Sequence, residues 1–383
     1  MPQRRSPRLL VILTALVAVA LLGTSCPVGP PDQLGPFAVG RTSFEIVDAT
    51  RDDRTLVVDV WYPAVDDGTL PFSVYDLLVA TIESDVALDE PPVADGSFPL
   101  LVFSHGNAGV RFQSIFLQEH LASQGFIVAA PDHAGNTAAD AILPNPPPFT
   151  AKDRPLDISL VIDEMVALDA LPADPFFESV DEARIGVLGH SFGGFTTLAM
   201  VSGFDDVPPD ERVSAIMPIS PAVGSLPTEL LAEVDVPTLV LGGTSDTVTP
   251  VDPNSVRAFE ETSGLPRWRI DVQLAGHNSF TEICLFFDVL VDAGLPPPIL
   301  AILLGNVEQG CGPDLIPIEE AQRITKLYAT SFFKTKLARR VGYVPFLSSG
   351  YAEANDLPVD YYRVPGRPSG HGLLAWLFSG EAD

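Results

Sequence analysis

Lysine is almost missing, with four residues among 383, and the bases together number 22 against 50 acids, a formal charge of −28. A surface of that sign repels phosphate backbones and anionic bilayers, which excludes nucleic-acid binding. Cysteine is scarcer still, three in all. That is too few for a disulfide scaffold, and no second Cys or His stands at ligand spacing from Cys284 or Cys311, so no metal centre is expected. Long apolar runs are missing after the first 25 residues: the stretch 285–305 is interrupted by Pro296, Pro297 and Pro298 and cannot span a bilayer. What is abundant sets the class. With 46% hydrophobic and 19% charged residues the chain is globular and able to bury a large core. Its 37 prolines and 30 glycines, without a Gly-X-Y period, exclude collagen and argue against a helical bundle.

The first eight residues carry Arg4, Arg5 and Arg8 without an acid, and 9–23 form an apolar run of the length found in export signals. Residues 1–25 are therefore expected to be an export signal peptide, the run being short for a retained anchor, which needs about 20 apolar residues. Cys26 resembles the acylated cysteine of bacterial lipoproteins, although Leu22 stands one position further from it than the usual pattern has it. Two forms stay open: a lipoprotein attached to a membrane through acylated Cys26, and a secreted or periplasmic protein released without it. A Pro/Gly-rich linker, 26–40, follows. The remaining pair, Cys284 and Cys311, is expected to form one disulfide, contributing roughly 3 kcal/mol in the chain-entropy model, with two separate buried thiols as the alternative.

Residues 42–47 and 56–62 read as a hairpin around the turn-like 48–54. From Phe98 onward, short apolar runs alternate with amphipathic stretches, the pattern of a mostly parallel sheet with helices on both faces. Strands are expected at 99–103, 126–130, 184–188, 213–219, 238–241 and 268–274, and a helix at 157–171 whose Ile158, Val161, Ile162, Met165 and Leu168 share one face. The catalytic domain is placed at 41–340. Three stretches fit the alternation poorly: 66–96, 285–305 and the extension 341–383. The second, bracketed by the cysteines, is either a lid or apolar wall beside a site, or an ordinary buried insertion.

Gly189-His190-Ser191-Phe192-Gly193 follows the strand 184–188 and precedes a helical stretch. That setting is what a nucleophile elbow requires, a sharp turn that lifts a serine hydroxyl clear of the sheet. A hydroxyl needs a base, and the base an acid to fix its tautomer. Asp246 stands just past strand 238–241, with Asp252 as its rival on the same loop; His277 stands just past the strand ending at Leu274, with His133 as the next candidate. All three would meet at the carboxyl ends of parallel strands, in the order Ser, Asp, His. The oxyanion of an acyl-transfer intermediate needs two donors: the N–H of Phe192, after the nucleophile, and the N–H of Asn107 in the turn Ser104-His105-Gly106-Asn107-Ala108-Gly109.

With Phe103-Ser104-His105-Gly106, the run 121–130, 189–194 and Val60-Trp61-Tyr62-Pro63 in place, the chain resembles an α/β-hydrolase of the group holding the platelet-activating-factor acetylhydrolases and the secreted dienelactone-hydrolase-like serine esterases. The resemblance covers roughly 41–351. It implies a serine carboxylester hydrolase with Ser191 as nucleophile and Phe192 and Asn107 as oxyanion donors. Two departures stand out. Ser220 occupies the position where the animal acetylhydrolases carry their acid, and the loop 237–250 is more similar to bacterial cutinase-like polyester hydrolases, which usually have Met at the position of Phe192 and an aromatic at that of Asn107. The expectation is an exported, cofactor-free esterase for short or medium acyl or lipid-like esters. Its alternatives are a cutinase-like polyester hydrolase and a surface binding protein of the same fold without turnover.

Overall fold

The structure is a computed structural model and describes residues 29–366. The expected export signal, Cys26 and residues 367–383 with His371 lie outside the described residues. The strands are β1 (Ala38–Asp48), β2 (Arg54–Ala64), β3 (Phe72–Asp76), β4 (Thr81–Asp89), β5 (Phe98–Ser104), β6 (Ile127–Pro131), β7 (Val180–His190), β8 (Val213–Ile219), β9 (Thr238–Gly243), β10 (Arg267–Val272) and β11 (Val359–Val364). The α-helices are α1 (Ile115–Ser123), α2 (Asp153–Asp169), α3 (Phe192–Ser202), α4 (Thr228–Ala232), α5 (Ser255–Glu260), α6 (Ile283–Asp292), α7 (Pro297–Cys311), α8 (Ile318–Lys336) and α9 (Ser349–Ala354).

All the strands form one sheet in the order β11-β10-β9-β8-β7-β5-β6-β2-β1-β4-β3. The stretch from β6 to β10 is parallel throughout, as its continuous apolar runs require: a strand covered on both faces has no side to give to water. The β1–β2 hairpin joins it antiparallel through β6. Alternate side chains of β5 feed two cores, Leu101 and Phe103 facing α1 and α8, Leu100 and Val102 facing α2 and α3.

The three poorly fitting stretches all hold regular structure. Segment 66–96 contains the β3–β4 hairpin, whose pattern is inverted: Ser73 and Tyr75 are buried while Phe72 and Val74 are exposed. Hydropathy alternation misses such a strand because its inward face is polar and aromatic. Segment 285–305 belongs to a pair of helices, α6 and α7, parted by Gly294 at φ 77° and Pro296. Beyond 340, β11 pairs antiparallel with β10 and completes the sheet edge, so the sheet does not end where the catalytic domain was expected to. The helix expected at 157–171 starts earlier, at Asp153, because Pro155 falls in its first turn, where a missing N–H costs nothing.

Candidate active site

Ser191 sits between β7 and α3 at φ 59°, ψ −114°, a conformation that non-glycine residues seldom hold. Neighbours fix it: its N–H donates to the Ile219 carbonyl (2.9 Å), and its carbonyl accepts from Gly194 (2.9 Å) and Ala222 (3.0 Å). The flanking glycines are obligatory. A Cβ on Gly189 would lie 2.5 Å from the Gly193 carbonyl oxygen, and one on Gly193 would lie 1.8 Å from that of Ser104.

His277 follows β10 on a short 3-10 turn, and its Nδ1 lies 2.8 Å from Asp246 Oδ2. Asp246 is anchored in turn by the N–H groups of Val248 (2.8 Å) and Thr249 (2.7 Å), and the Thr249 hydroxyl stands 2.9 Å from Asp246 Oδ2 and 3.1 Å from His277 Nδ1. Burial alone would raise the Asp246 pKa, but His277 and the Thr249 donors outweigh it and hold the carboxyl below its ordinary value. With Nδ1–H donating to Asp246, Nε2 is left as the basic nitrogen. Asp252, the rival acid, is exposed on the same loop. His133, the rival base, is fully buried away from the cleft, its Nδ1 on Asp157 (2.9 Å) and its Nε2 on the Ser104 hydroxyl (2.9 Å).

Ser191, His277 and Asn107 line one cleft of about 440 Å³. Its walls come from distant parts of the chain: Leu77 and Leu78 from the β3–β4 tip, Phe286 and Leu290 from α6, Leu303 from α7. The α6–α7 pair is closed by a Cys284–Cys311 disulfide. It is also tied to the loops beneath it, because Gln309 Oε1 accepts from the N–H of Thr247 (3.0 Å) and of His277 (3.4 Å).

Gln113, Thr249 and Gln309 were not singled out from the sequence. Gln113 accepts the Gly106 N–H (2.9 Å) and donates to His190 Nδ1 (2.9 Å), while His190 Nε2–H donates to the His277 carbonyl (2.8 Å). Burial and the neighbouring His277 push the His190 pKa down to about 3, so its ring is a neutral spacer. No local pattern marks these residues, since each also engages a partner remote in sequence: Gln113 reaches His190, Thr249 reaches His277, and Gln309 reaches Thr247 and His277. The loop that carries Asn107, the turn at Ser191 and the His277 loop thus form one hydrogen-bonded unit.

A family model described as PETase, PET hydrolase-like, matches residues 78–284, more than half of the chain. The chain belongs to this family. Among its relatives, the bis(hydroxyethyl) terephthalate hydrolase of Streptomyces coelicolor is 28% identical over 263 residues, 68% of this chain and 71% of that protein. Cutinase est1 of Thermobifida alba is 28% identical over 164 residues, 43% of this chain and only 48% of the cutinase. The solved ferulic acid esterase from Streptomyces cinnamoneus superposes with a TM-score of 0.61 at 26% identity, covering 82% of this chain and 93% of that one. The PET hydrolase-like fold is the α/β-hydrolase fold described above, and the chain is a carboxylester hydrolase. The match includes Ser191, Asp246 and His277 and stops at Cys284, so most of the α6–α7 pair lies outside it.

Proposed function

We propose that this protein hydrolyses carboxylic esters through Ser191, His277 and Asp246, with the N–H groups of Asn107 and Phe192 as oxyanion donors. The observation that carries the reading is the placement of Ser191 on a strained turn in the same cleft as a histidine whose far nitrogen is held by a buried carboxylate. Ser191 Oγ attacks the carbonyl carbon while His277 Nε2 takes its proton, and the carbonyl π pair moves to oxygen, where the two N–H groups receive it. Collapse breaks the bond to the alcohol, which leaves with the proton from His277. Water, deprotonated by His277, then attacks the acyl enzyme and releases the acid and Ser191.

Short or medium acyl esters and lipid-like esters fit the apolar walls given by Leu77, Phe286 and Leu303. Polyester hydrolysis is the second reading, favoured by the family match. The cysteine bridge suits an exported protein, and we propose export by an N-terminal signal, with or without acylation at Cys26.

Initial rates on p-nitrophenyl esters from acetate to palmitate, with Ser191→Ala alongside, test the chemistry. The variant is expected to lose on the order of 10⁴-fold or more in kcat. Wild-type rates in Ser191→Ala would overturn the assignment. Release of soluble acid from a polyester film, compared with the rate on the soluble esters, decides between the two substrate readings.

A further inference from the structure

Both segments that bear the proposed oxyanion donors meet at one buried guanidinium. Arg154, in the first turn of α2, has no accessible surface. Its Nη2 donates to the His105 carbonyl and stands 3.4 Å from Ser104 Oγ, both at the base of the loop that carries Asn107. Its Nη1 donates to Asn136 Oδ1 (2.5 Å), and Asn136 Nδ2 donates to the Asn107 side-chain oxygen (2.8 Å). On the other side, Nε donates to Thr196 Oγ1 (3.1 Å), whose hydroxyl lies 3.0 Å from the Phe192 carbonyl, and the guanidinium carbon lies 4.7 Å from the centre of the Phe192 ring.

Every one of those direct acceptors is neutral. Asp157, on the same helix, is engaged by Arg51, Arg54 and His133, and among the described residues no carboxylate lies within ion-pair distance of Arg154. A buried charge whose hydrogen-bond partners are all neutral is costly. The cost is offset when a negative charge forms nearby, which is what the tetrahedral intermediate supplies.

We propose that Arg154 is the positioning residue of the oxyanion hole, fixing the Asn107 loop against the Phe192 turn and adding a positive field beneath both donors. The inference rests on the oxyanion assignment above. Burial, reinforced by Arg54, pulls the Arg154 pKa down to about 9 against the pull of Asp157, and the group stays charged at neutral pH.

The test uses the full chain and the variants Arg154→Met, Arg154→Lys and Asn136→Ala, with circular dichroism to verify folding. Substrate is held by the cleft walls, so the loss belongs to kcat. Arg154→Met is expected to lower kcat by about 10²–10³-fold with KM changed less than about threefold, Asn136→Ala by about tenfold, and Arg154→Lys to recover part of the loss. Affinity for phenylboronic acid, whose tetrahedral adduct on the serine places an oxygen in the hole, falls in parallel with kcat; a merely structural role would not link the two. Should the Arg154 variants not fold, Asn136→Ala on its half-buried loop still decides. Unchanged kcat in a folded Arg154→Met, or in Asn136→Ala, overturns the role of Arg154 while wild-type turnover stands. Absence of Ser191-dependent turnover in the wild type overturns the catalytic reading and this one with it.

Discussion

Beside the proposed Ser191–His277–Asp246 triad, the described residues hold a second Ser–His–Asp series, and its surroundings set it apart. Ser104 Oγ lies 2.9 Å from His133 Nε2, and His133 Nδ1 lies 2.9 Å from Asp157, the same connectivity that a catalytic triad uses. Yet Ser104 ends the regular strand β5 and has no accessible surface, whereas Ser191 stands on its strained turn with 9% exposed and lines the cleft. The inner series is electrostatically settled as well. Burial and Arg154 press the His133 pKa to about 4. At Asp157 burial acts upward, but hydrogen bonds from Arg54 and His133 prevail and leave it at about 2. Reaction of the full chain with a fluorophosphonate is therefore expected to give one adduct, on Ser191. Ser104→Ala should leave that adduct in place while costing about 1–3 kcal/mol of stability in urea unfolding, because His133 Nε2 loses its partner. A second adduct mapped to Ser104 by peptide mass spectrometry would contradict the distinction drawn here.

At the scale of elements, the β3–β4 hairpin is the wall whose attachment responds to pH. Glu119 of α1 receives the Tyr75 hydroxyl (2.7 Å) and the Ser84 hydroxyl (2.6 Å), and Trp61 Nε1 donates to the Tyr75 oxygen (2.8 Å). The hairpin tip, at Leu77 and Leu78, lines the cleft. Burial raises the Glu119 pKa to about 7, the two hydroxyls opposing and the nearby Asp85 and Glu282 adding to the rise. A carboxyl whose folded pKa exceeds its unfolded value keeps its proton longer in the native state. Stability is therefore full below the unfolded pKa of about 4.5 and falls as pH rises towards 7, by up to about 3 kcal/mol. Glu119→Gln keeps an acceptor for both hydroxyls without the ionisation. Its melting temperature is expected to gain on the wild type between pH 5 and pH 8, and a difference that stays constant across that range would refute the assignment.

The same hairpin shows where sequence reading stops. The parallel strands and the turns that hold Ser191, Asp246 and His277 were legible because each is local: a fully buried strand writes a continuous apolar run, and the turn after it holds a residue of the proposed site. Strand β3 was not legible, since its buried residues are Ser73 and Tyr75 and its apolar ones face outward. The stretch 285–305 was read as a lid or apolar wall or else as a buried insertion; Phe286, Leu290 and Leu303 do line the cleft, but the division into two helices at Gly294 and Pro296 was not foreseen. Arg154 fell ahead of the helix expected at 157–171; its five partners come from three separate stretches of chain, and no spacing rule collects them.

Over the whole molecule, several of the scarce bases are used inside. Arg41 and Arg111 hold Asp59, Arg111 also holds Asp132, Arg51 and Arg54 hold Asp157, and Arg154 lies buried beneath the loop that carries Asn107. With 22 bases against 50 acids in the sequence, the surface carries a strongly negative field. Such a field lowers the local concentration of anions and slows their approach, and it is screened as the Debye length shrinks from about 30 Å at 0.01 M salt to about 3 Å at 1 M. Neutral esters do not sense it. A monoester that carries a free carboxylate does, and Asp76 and Asp132 at the cleft add to the repulsion, with Arg111 already paired. Raising NaCl from about 0.02 to about 0.5 M is expected to lift kcat/KM for a carboxylate-bearing ester several-fold while leaving that for its neutral methyl ester within about twofold. Parallel salt curves for the two esters would mean that the acidic surface does not reach the cleft, and the preference for neutral substrates would then have to come from the apolar walls alone.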